Sequence, residues 1–283
     1  MIYLRKTKVL LIFSFIMLFL VGCSSDNIVL VSRENGSGTR DTFIQKTGIL
    51  EEKEGYKKDR TSKNSIVQMQ TETVIQTVSG NKESIGYIST GSLDDSIKVL
   101  SVDGVYPDSE NIKNGDYKLA RKFNMVLKNY ENPLAKDFID FIFSDEGSEI
   151  VSRNYISLSE KSQKYEKKDL SGRLILAGST SVYPLAEVLG EEYQKINPNV
   201  EIEIQQTGSS AGITSAIDGT VDIGLSSREL KEKEKEKLIT VPIANDGIAV
   251  VVNKEQKISD IKLEDLKKIF TEEITRWEEV GIE

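Results

Sequence analysis

Short apolar runs alternate with amphipathic stretches along most of the chain. Residues 27–32 (NIVLVS), 84–89 (SIGYIS), 122–128 (KFNMVLK), 173–178 (RLILAG), 200–206 (VEIEIQQ), 221–227 (VDIGLSS), 238–244 (LITVPIA) and 247–253 (GIAVVVN) read as strands. Helical patterns fall at 41–50, 133–153, 183–198, 211–219 and 262–270. In 133–153, Leu134, Phe138, Phe141 and Ile142 recur at the spacing of one helix face. Strands interleaved with helices predict an α/β sheet protein. Three polar stretches break the pattern. Residues 51–65 lack periodicity, 159–172 (SEKSQKYEKKDLSG) read as a linker, and 230–238 (LKEKEKEKL) read as a solvated helix face or loop. No internal repeat is evident.

The first 22 residues follow different rules. A head bearing Arg5, Lys6 and Lys8 precedes an uncharged apolar run, which ends in Leu20-Val21-Gly22-Cys23. A basic head, a short greasy middle and small residues at a cleavage point make a secretory signal over 1–22. The run is too short for a comfortable membrane span. Its last four residues resemble a bacterial lipobox, which implies lipid attachment at Cys23 and anchoring to the outer face of the cytoplasmic membrane. Cys23 is the only cysteine, so no disulfide forms within the chain.

Composition then removes several classes of function. At 283 residues, with 38% hydrophobic and 29% charged, the chain supports a sizeable core. Without the three cations of the leader, 34 Lys and Arg face 45 Asp and Glu, a net charge of −11. Nucleic-acid binding needs the opposite field. There is no histidine, which removes the commonest general base and metal ligand, and with one cysteine a zinc site is nearly excluded. No cofactor or metal is expected.

Three turns share one grammar. Strand 27–32 leads to Gly-Ser-Gly-Thr (36–39) between Arg33 and Arg40. Strand 173–178 leads to Ser-Thr-Ser (179–181), and strand 200–206 to Gly-Ser-Ser-Ala-Gly (208–212). Each places glycine and hydroxyl residues where a helix begins. A helix N-terminus exposes unpaired N–H groups and carries about half a positive charge, so it suits an anion. Glycine lets the backbone approach, and Ser or Thr adds an O–H donor. Any one turn is also an ordinary cap. Three together, with Arg33 as a fork-shaped countercharge, favour a tetrahedral oxyanion. The GSSAG turn also matches a nucleophile elbow centred on Ser210, but without histidine only a Ser-Lys hydrolase would remain. The P-loop spacing is absent.

Residues 176–230 (LAGSTSVYPLAEV…VDIGLSSREL) resemble the opening of the phosphate-binding lipoproteins of high-affinity phosphate ABC transporters. Residues 28–43 (IVLVSRENGSGTRDTF), 74–89 and 133–158 resemble the middle and end of the same family. The order is circularly permuted. The chain starts at the family's middle, reaches its end near Leu158, crosses the polar linker and restarts at about Asp169. The resemblance implies a two-lobed, type II periplasmic-binding-protein architecture with a cleft between lobes. One lobe would hold 24–117 plus 254–283 and the other 118–253, linker 159–172 included. Hinge strands would lie near YKLARKFNMV and GIAVVVN. It also implies a non-enzyme that captures inorganic phosphate and delivers it to ABC permease subunits and their ATPase.

Carried over motif by motif, the phosphate donors are Thr180 and Ser181 from the first turn, Ser209 from the second, and Arg33, Ser37, Gly38 and Thr39 from the opposite lobe. Arg40 fits less well and would neutralise the rim or pair with Asp41, while Ser179 and Ser210 read as caps. Ser227 stands where some family members carry an aspartate that accepts the proton of hydrogen phosphate and repels sulfate. Ser227 can accept a hydrogen bond but has no charge with which to repel. Arg228 and Glu229 read as a surface ion pair. The rival readings are a carrier of sulfate or molybdate and a surface sensor or adhesion protein that retains the fold.

Overall fold

The computed structural model describes residues 27–53, 55–159 and 163–281. The secretory signal and Cys23 lie outside the described residues. In chain order the elements are β1 (Val29–Arg33), α1 (Gly38–Lys46), β2 (Leu50–Lys53), β3 (Tyr56–Asp59), β4 (Ile66–Gln68), α2 (Thr71–Gly80) and β5 (Ser84–Ser89). Then come β6 (Ile97–Val102), α3 (Ser109–Asn114), β7 (Ala120–Leu127), α4 (Pro133–Ile142), α5 (Asp145–Ser152) and β8 (Ile156–Ser157). The chain continues through β9 (Gly172–Gly178), α6 (Tyr183–Ile196), β10 (Val200–Gln206), α7 (Ser209–Asp218), β11 (Ile223–Ser226) and α8 (Glu232–Lys235). It ends with β12 (Ile239–Asn253), β13 (Asp260–Ile261) and α9 (Leu263–Phe270). No helix among the described residues is long and apolar enough to cross a membrane.

These elements build the two lobes of a periplasmic-binding-protein fold. In the first, β1 pairs in parallel with β4 and β5, and β5 and β6 pair antiparallel with the end of β12. Its core joins Leu30, Phe43, Tyr87, Leu100, Leu119, Ile248 and Phe270. In the second, β9 pairs in parallel with β10 and β11, and β7 joins β11 to the start of β12. Its core gathers Phe123, Phe138, Phe141, Leu174, Leu189 and Tyr193. The inner parallel strands β1, β5 and β11 are buried on both faces, which is why they read as apolar runs, whereas the edge strand β10 is partly exposed and alternates.

Several expectations needed revision. Runs 238–244 and 247–253 are one strand, β12, because Asp246 in the polar gap between them is buried and paired rather than turned to solvent. The lobe changes inside that strand. Residues up to Gly247 pair with β7, while Ile248–Val252 pair with β5 and Ile248, Val250 and Val252 pack in the first core. The expected boundary at 253 therefore falls too late in the packing. Segment 133–153 is two helices, because Ser144 caps α5 by accepting a bond from Gly147 N–H at 3.2 Å. Residues 51–65 are not featureless: Leu50–Lys53 and Tyr56–Asp59 form a hairpin. β6 and α2 were missed.

Linker 159–172 is more than a surface strap. The Tyr165 ring packs on Phe141 and Tyr193. Its hydroxyl and that of Tyr193 donate to Asp137 Oδ2 at 2.5 and 2.7 Å, and Lys168 Nζ lies 2.6 Å from Oδ1. Burial pushes the Asp137 carboxyl up, but these three partners outweigh it and hold the group below the ordinary aspartate range. Leu174 and the Leu158 neighbour Ser157 both belong to the second lobe, the latter through the pairing of β8 with β12. At the other junction Asn27 bridges Arg276, and Ile28 N–H donates to the Thr275 carbonyl at 2.8 Å.

Candidate functional site

Each of the three turns follows a strand whose burial fixes where the turn points. β1 is held between β4 and β5, and its last residue, Arg33, is 2% exposed. Beneath it, Phe43 of α1 stacks on Tyr87 with ring centroids 3.9 Å apart. The Tyr87 hydroxyl pairs with Ser32 Oγ at 2.8 Å and accepts Arg33 N–H at 3.2 Å. The guanidinium is thus aimed by its own backbone. Nε donates to the Gln68 carbonyl and Nη2 to the Met69 carbonyl, each at 3.0 Å. Glu34 accepts from both nitrogens. Nη1 is buried and has no partner.

Ser37 caps α1, its Oγ accepting from Arg40 N–H. Gly38 then lies against the other lobe. A Cβ there would meet Ser209 Oγ at 2.4 Å, Ser227 Oγ at 2.6 Å and the Arg228 nitrogen at 3.1 Å. No residue other than glycine fits without displacing those groups. Gly178 closes β9 with φ +146°, and a Cβ there would lie 2.2 Å from the Leu225 carbonyl oxygen. The chain can therefore turn sharply into Ser179-Thr180-Ser181 while β9 stays tight against β11.

The turns meet across the cleft. Arg33 Nη2 donates to Thr180 Oγ1 at 2.9 Å, and Thr39 Oγ1 lies 2.8 Å from Ser181 Oγ. Ser210 N–H donates to the Gly36 carbonyl at 3.0 Å. Ser227 Oγ accepts from Ser179 Oγ at 2.9 Å and lies 3.3 Å from Ser209 Oγ. Ser37, Thr39, Thr180, Ser181, Ser209 and Ser227 are all buried. The eight residues singled out by sequence, Arg33, Ser37, Gly38, Thr39, Thr180, Ser181, Ser209 and Ser227, therefore line one interlobe region. It is rich in hydroxyl and N–H donors, with one guanidinium nitrogen to spare. Such a set can hold an oxyanion. Among the described residues no cluster of three His, Cys, Asp or Glu side chains is placed to hold a metal.

The neighbouring charges differ from expectation. Arg40 pairs with Asp59, not Asp41. Asp41 pairs at 3.2 Å with Arg228, across the cleft. Burial pushes the Asp41 carboxyl up against the pull of Arg228, Lys231 and Arg40. Arg228 is buried rather than superficial, and Glu234 holds both its terminal nitrogens, at 2.8 and 2.9 Å. Glu229 offers it only a backbone carbonyl. Ser179 acts as a cap, accepting from Ser181 and Val182 N–H. Ser210 does not cap in that way; its Oγ accepts from Arg228 at 3.3 Å.

Two further charged residues went unnoticed in the sequence. Arg121 of β7 and Asp246 of β12 face each other in register where the lobes join, and their side chains pair at 2.9 Å. A cation and a carboxylate directly flanking apolar strand runs were the available signal.

Comparison with known proteins agrees with this arrangement. The PBP superfamily domain matches residues 21–146 and 163–283. Phosphate-binding protein PstS 2 of Streptococcus agalactiae serotype V is 46% identical over 273 residues, covering 93% of each chain. Phosphate-binding protein PstS 2 of Streptococcus pneumoniae serotype 4 is 45% identical over 259 residues, 91% of this chain and 89% of that one. A crystal structure of a phosphate-binding protein of a phosphate ABC transporter from Streptococcus pneumoniae TIGR4 aligns with a TM-score of 0.74 at 43% identity. It covers 90% of this chain and all of that one. These relatives are substrate-binding transport proteins. The chain thus belongs to the PBP superfamily and, within it, to the family of PstS phosphate-binding proteins.

Proposed function

We propose that this protein captures inorganic phosphate between its lobes and delivers it to the permease of an ABC importer, whose ATPase drives transport. The observation that carries the reading is the buried Arg33 guanidinium. It sits where three hydroxyl-rich turns converge and keeps Nη1 unpartnered. Arg33, Thr39, Thr180, Ser181 and Ser209 donate through side chains, Ser37 and Gly38 through the start of α1, and Ser227 is the hydroxyl that can accept a hydrogen bond from the ligand's proton. The binding event is closure of the lobes around a dehydrated anion, with no covalent step. A lipid on Cys23 holds the protein on the outer face of the cytoplasmic membrane. Replacing Cys23 by serine should release it from membranes, and retention in the membrane fraction would defeat that assignment.

The order of segments is read as a circular permutation of the family. One lobe comprises 24–117 with 254–283 and the other most of 118–253. The bridge between Asn27 and Arg276 supports this, since it joins segments that would be continuous in an unpermuted relative. Linker 159–172 would then close the ancestral ends.

The test is calorimetric titration with phosphate and, separately, with sulfate, after bound ligand has been removed by unfolding and refolding. Micromolar or tighter phosphate binding without sulfate heat is the expected result. Equal binding would make this a general oxyanion receptor, which Ser227 leaves chemically open. No binding by the folded protein would favour a sensor or adhesion role.

A further inference from the structure

We propose that Arg121, on β7 where the two lobes join, is a positioning residue for anion capture: it commits the Thr39 hydroxyl to donate into the cleft. Arg121 is 7% exposed. Its Nε donates to Asp246 Oδ2 at 2.9 Å, and its Nη1 donates to Thr39 Oγ1 at 2.7 Å and to the Ser227 carbonyl at 3.3 Å. Asp246, fully buried, also accepts from Ser89 Oγ at 2.7 Å and Thr90 Oγ1 at 3.0 Å through Oδ1. The guanidinium is therefore clamped from behind and presented forwards.

The consequence is one of proton counting. A hydroxyl has one proton to give and lone pairs to receive with, and a guanidinium can only give. Thr39 Oγ1 must accept from Arg121, so its single proton points elsewhere. Its other neighbour is Ser181 Oγ, across the cleft at 2.8 Å. Left alone, either hydroxyl of that pair could be the donor. Arg121 settles the order: Thr39 gives, Ser181 receives, and the Ser181 proton is freed. Ser181 then meets an anion as a donor without reorientation, and Thr39, already barred from accepting there, has only to turn its proton from Ser181 Oγ to the anion. Arg121 also touches each side of the cleft, through Thr39 of the first lobe and Ser227 of the second. A second buried nitrogen, Nη2, has no partner. Burial chiefly, and the Arg33 guanidinium to a smaller degree, disfavour the charge on Arg121, and an anion between the two cations would relieve that repulsion.

The inference rests on the phosphate reading above, and a double-mutant cycle separates the two. Phosphate is titrated into wild type, Arg121→Lys, Thr39→Val and the double variant, each checked for folding by circular dichroism and thermal melting. Lysine keeps a charge beside Asp246 but lacks the planar fork whose Nε holds Asp246 while Nη1 reaches Thr39, so the directed bond to Thr39 is lost or weakened. The expected loss is about tenfold for Arg121→Lys, one charge-assisted hydrogen bond. With valine at 39, the same change should cost less than about threefold, because the hydroxyl through which Arg121 acts is gone. Wild-type affinity in Arg121→Lys, or losses that multiply in the double variant, would overturn the inference and leave Arg121 a hinge ion pair. If wild type binds no phosphate, the phosphate reading falls and takes the inference with it. The neutral pair Arg121→Gln with Asp246→Asn repeats the cycle with no buried charge unpaired, so a folding defect in one background does not decide the matter.

Discussion

Two buried polar clusters of this protein are built to opposite rules. Around Asp137 a carboxylate is met by two tyrosine hydroxyls and a lysine, all from its own lobe, and together they anchor the linker. Around Arg33 the surplus runs the other way. Donors from both lobes outnumber the acceptors, and a guanidinium nitrogen is left over. A satisfied cluster holds a fold in place. A cluster short of acceptors costs stability unless something supplies them, which is the mark of a binding site.

Removing the countercharge should break the contrast most sharply. Arg33→Ala should cost phosphate binding about 2–5 kcal/mol, a hundredfold loss or more, because a buried dianion then lacks its charged donor. Near-normal affinity by calorimetry would remove Arg33 from the site. Gly38→Ala should come next, with at least about tenfold weaker binding. Its methyl would crowd Ser209 Oγ and Ser227 Oγ, and overpacking costs about 1–3 kcal/mol.

The Asp137 cluster should answer on a different axis. Asp137→Asn should lower stability by about 1–3 kcal/mol while leaving phosphate affinity unchanged. Its pH dependence has a definite sign. The folded carboxyl titrates below its ordinary value, so its contribution is present above about pH 4 and is lost as pH falls through the folded pKa. Melting temperatures should therefore differ between wild type and Asp137→Asn at pH 6 and draw together below about pH 4. A gap that widens in acid would refute the assignment. The smallest effect is expected at Arg40. Its pair with Asp59 lies on a partly exposed face, so Arg40→Ala should change stability by less than about 1 kcal/mol and affinity by less than threefold.

Legibility in the sequence followed the range of the interaction. The turns were readable because strand, small residues and helix are contiguous, so the local pattern carries the N-terminal geometry. The seven residues of those turns, Arg33, Ser37, Gly38, Thr39, Thr180, Ser181 and Ser209, lie together at the cleft for that reason. What could not be read depends on pairs distant in sequence. Asp246 fell in the gap left between runs 238–244 and 247–253 because its partners, Arg121, Ser89 and Thr90, lie more than 120 positions away. Arg228 looked superficial because nothing nearby announces that Asp41 will cross the cleft to meet it. The hairpin Leu50–Lys53 with Tyr56–Asp59 was hidden because its strands are mostly exposed and lack an apolar face to set a period of two.

The donors at the cleft are hydroxyls, backbone N–H groups and guanidiniums, in a chain without a histidine. Hydroxyls and backbone N–H groups keep their protons across the neutral range. The carboxyls that brace the cleft, Asp41 against Arg228 and Asp246 against Arg121, are both pushed up by burial. Acidity would therefore reach the cleft through its scaffold, one layer behind the donor groups themselves.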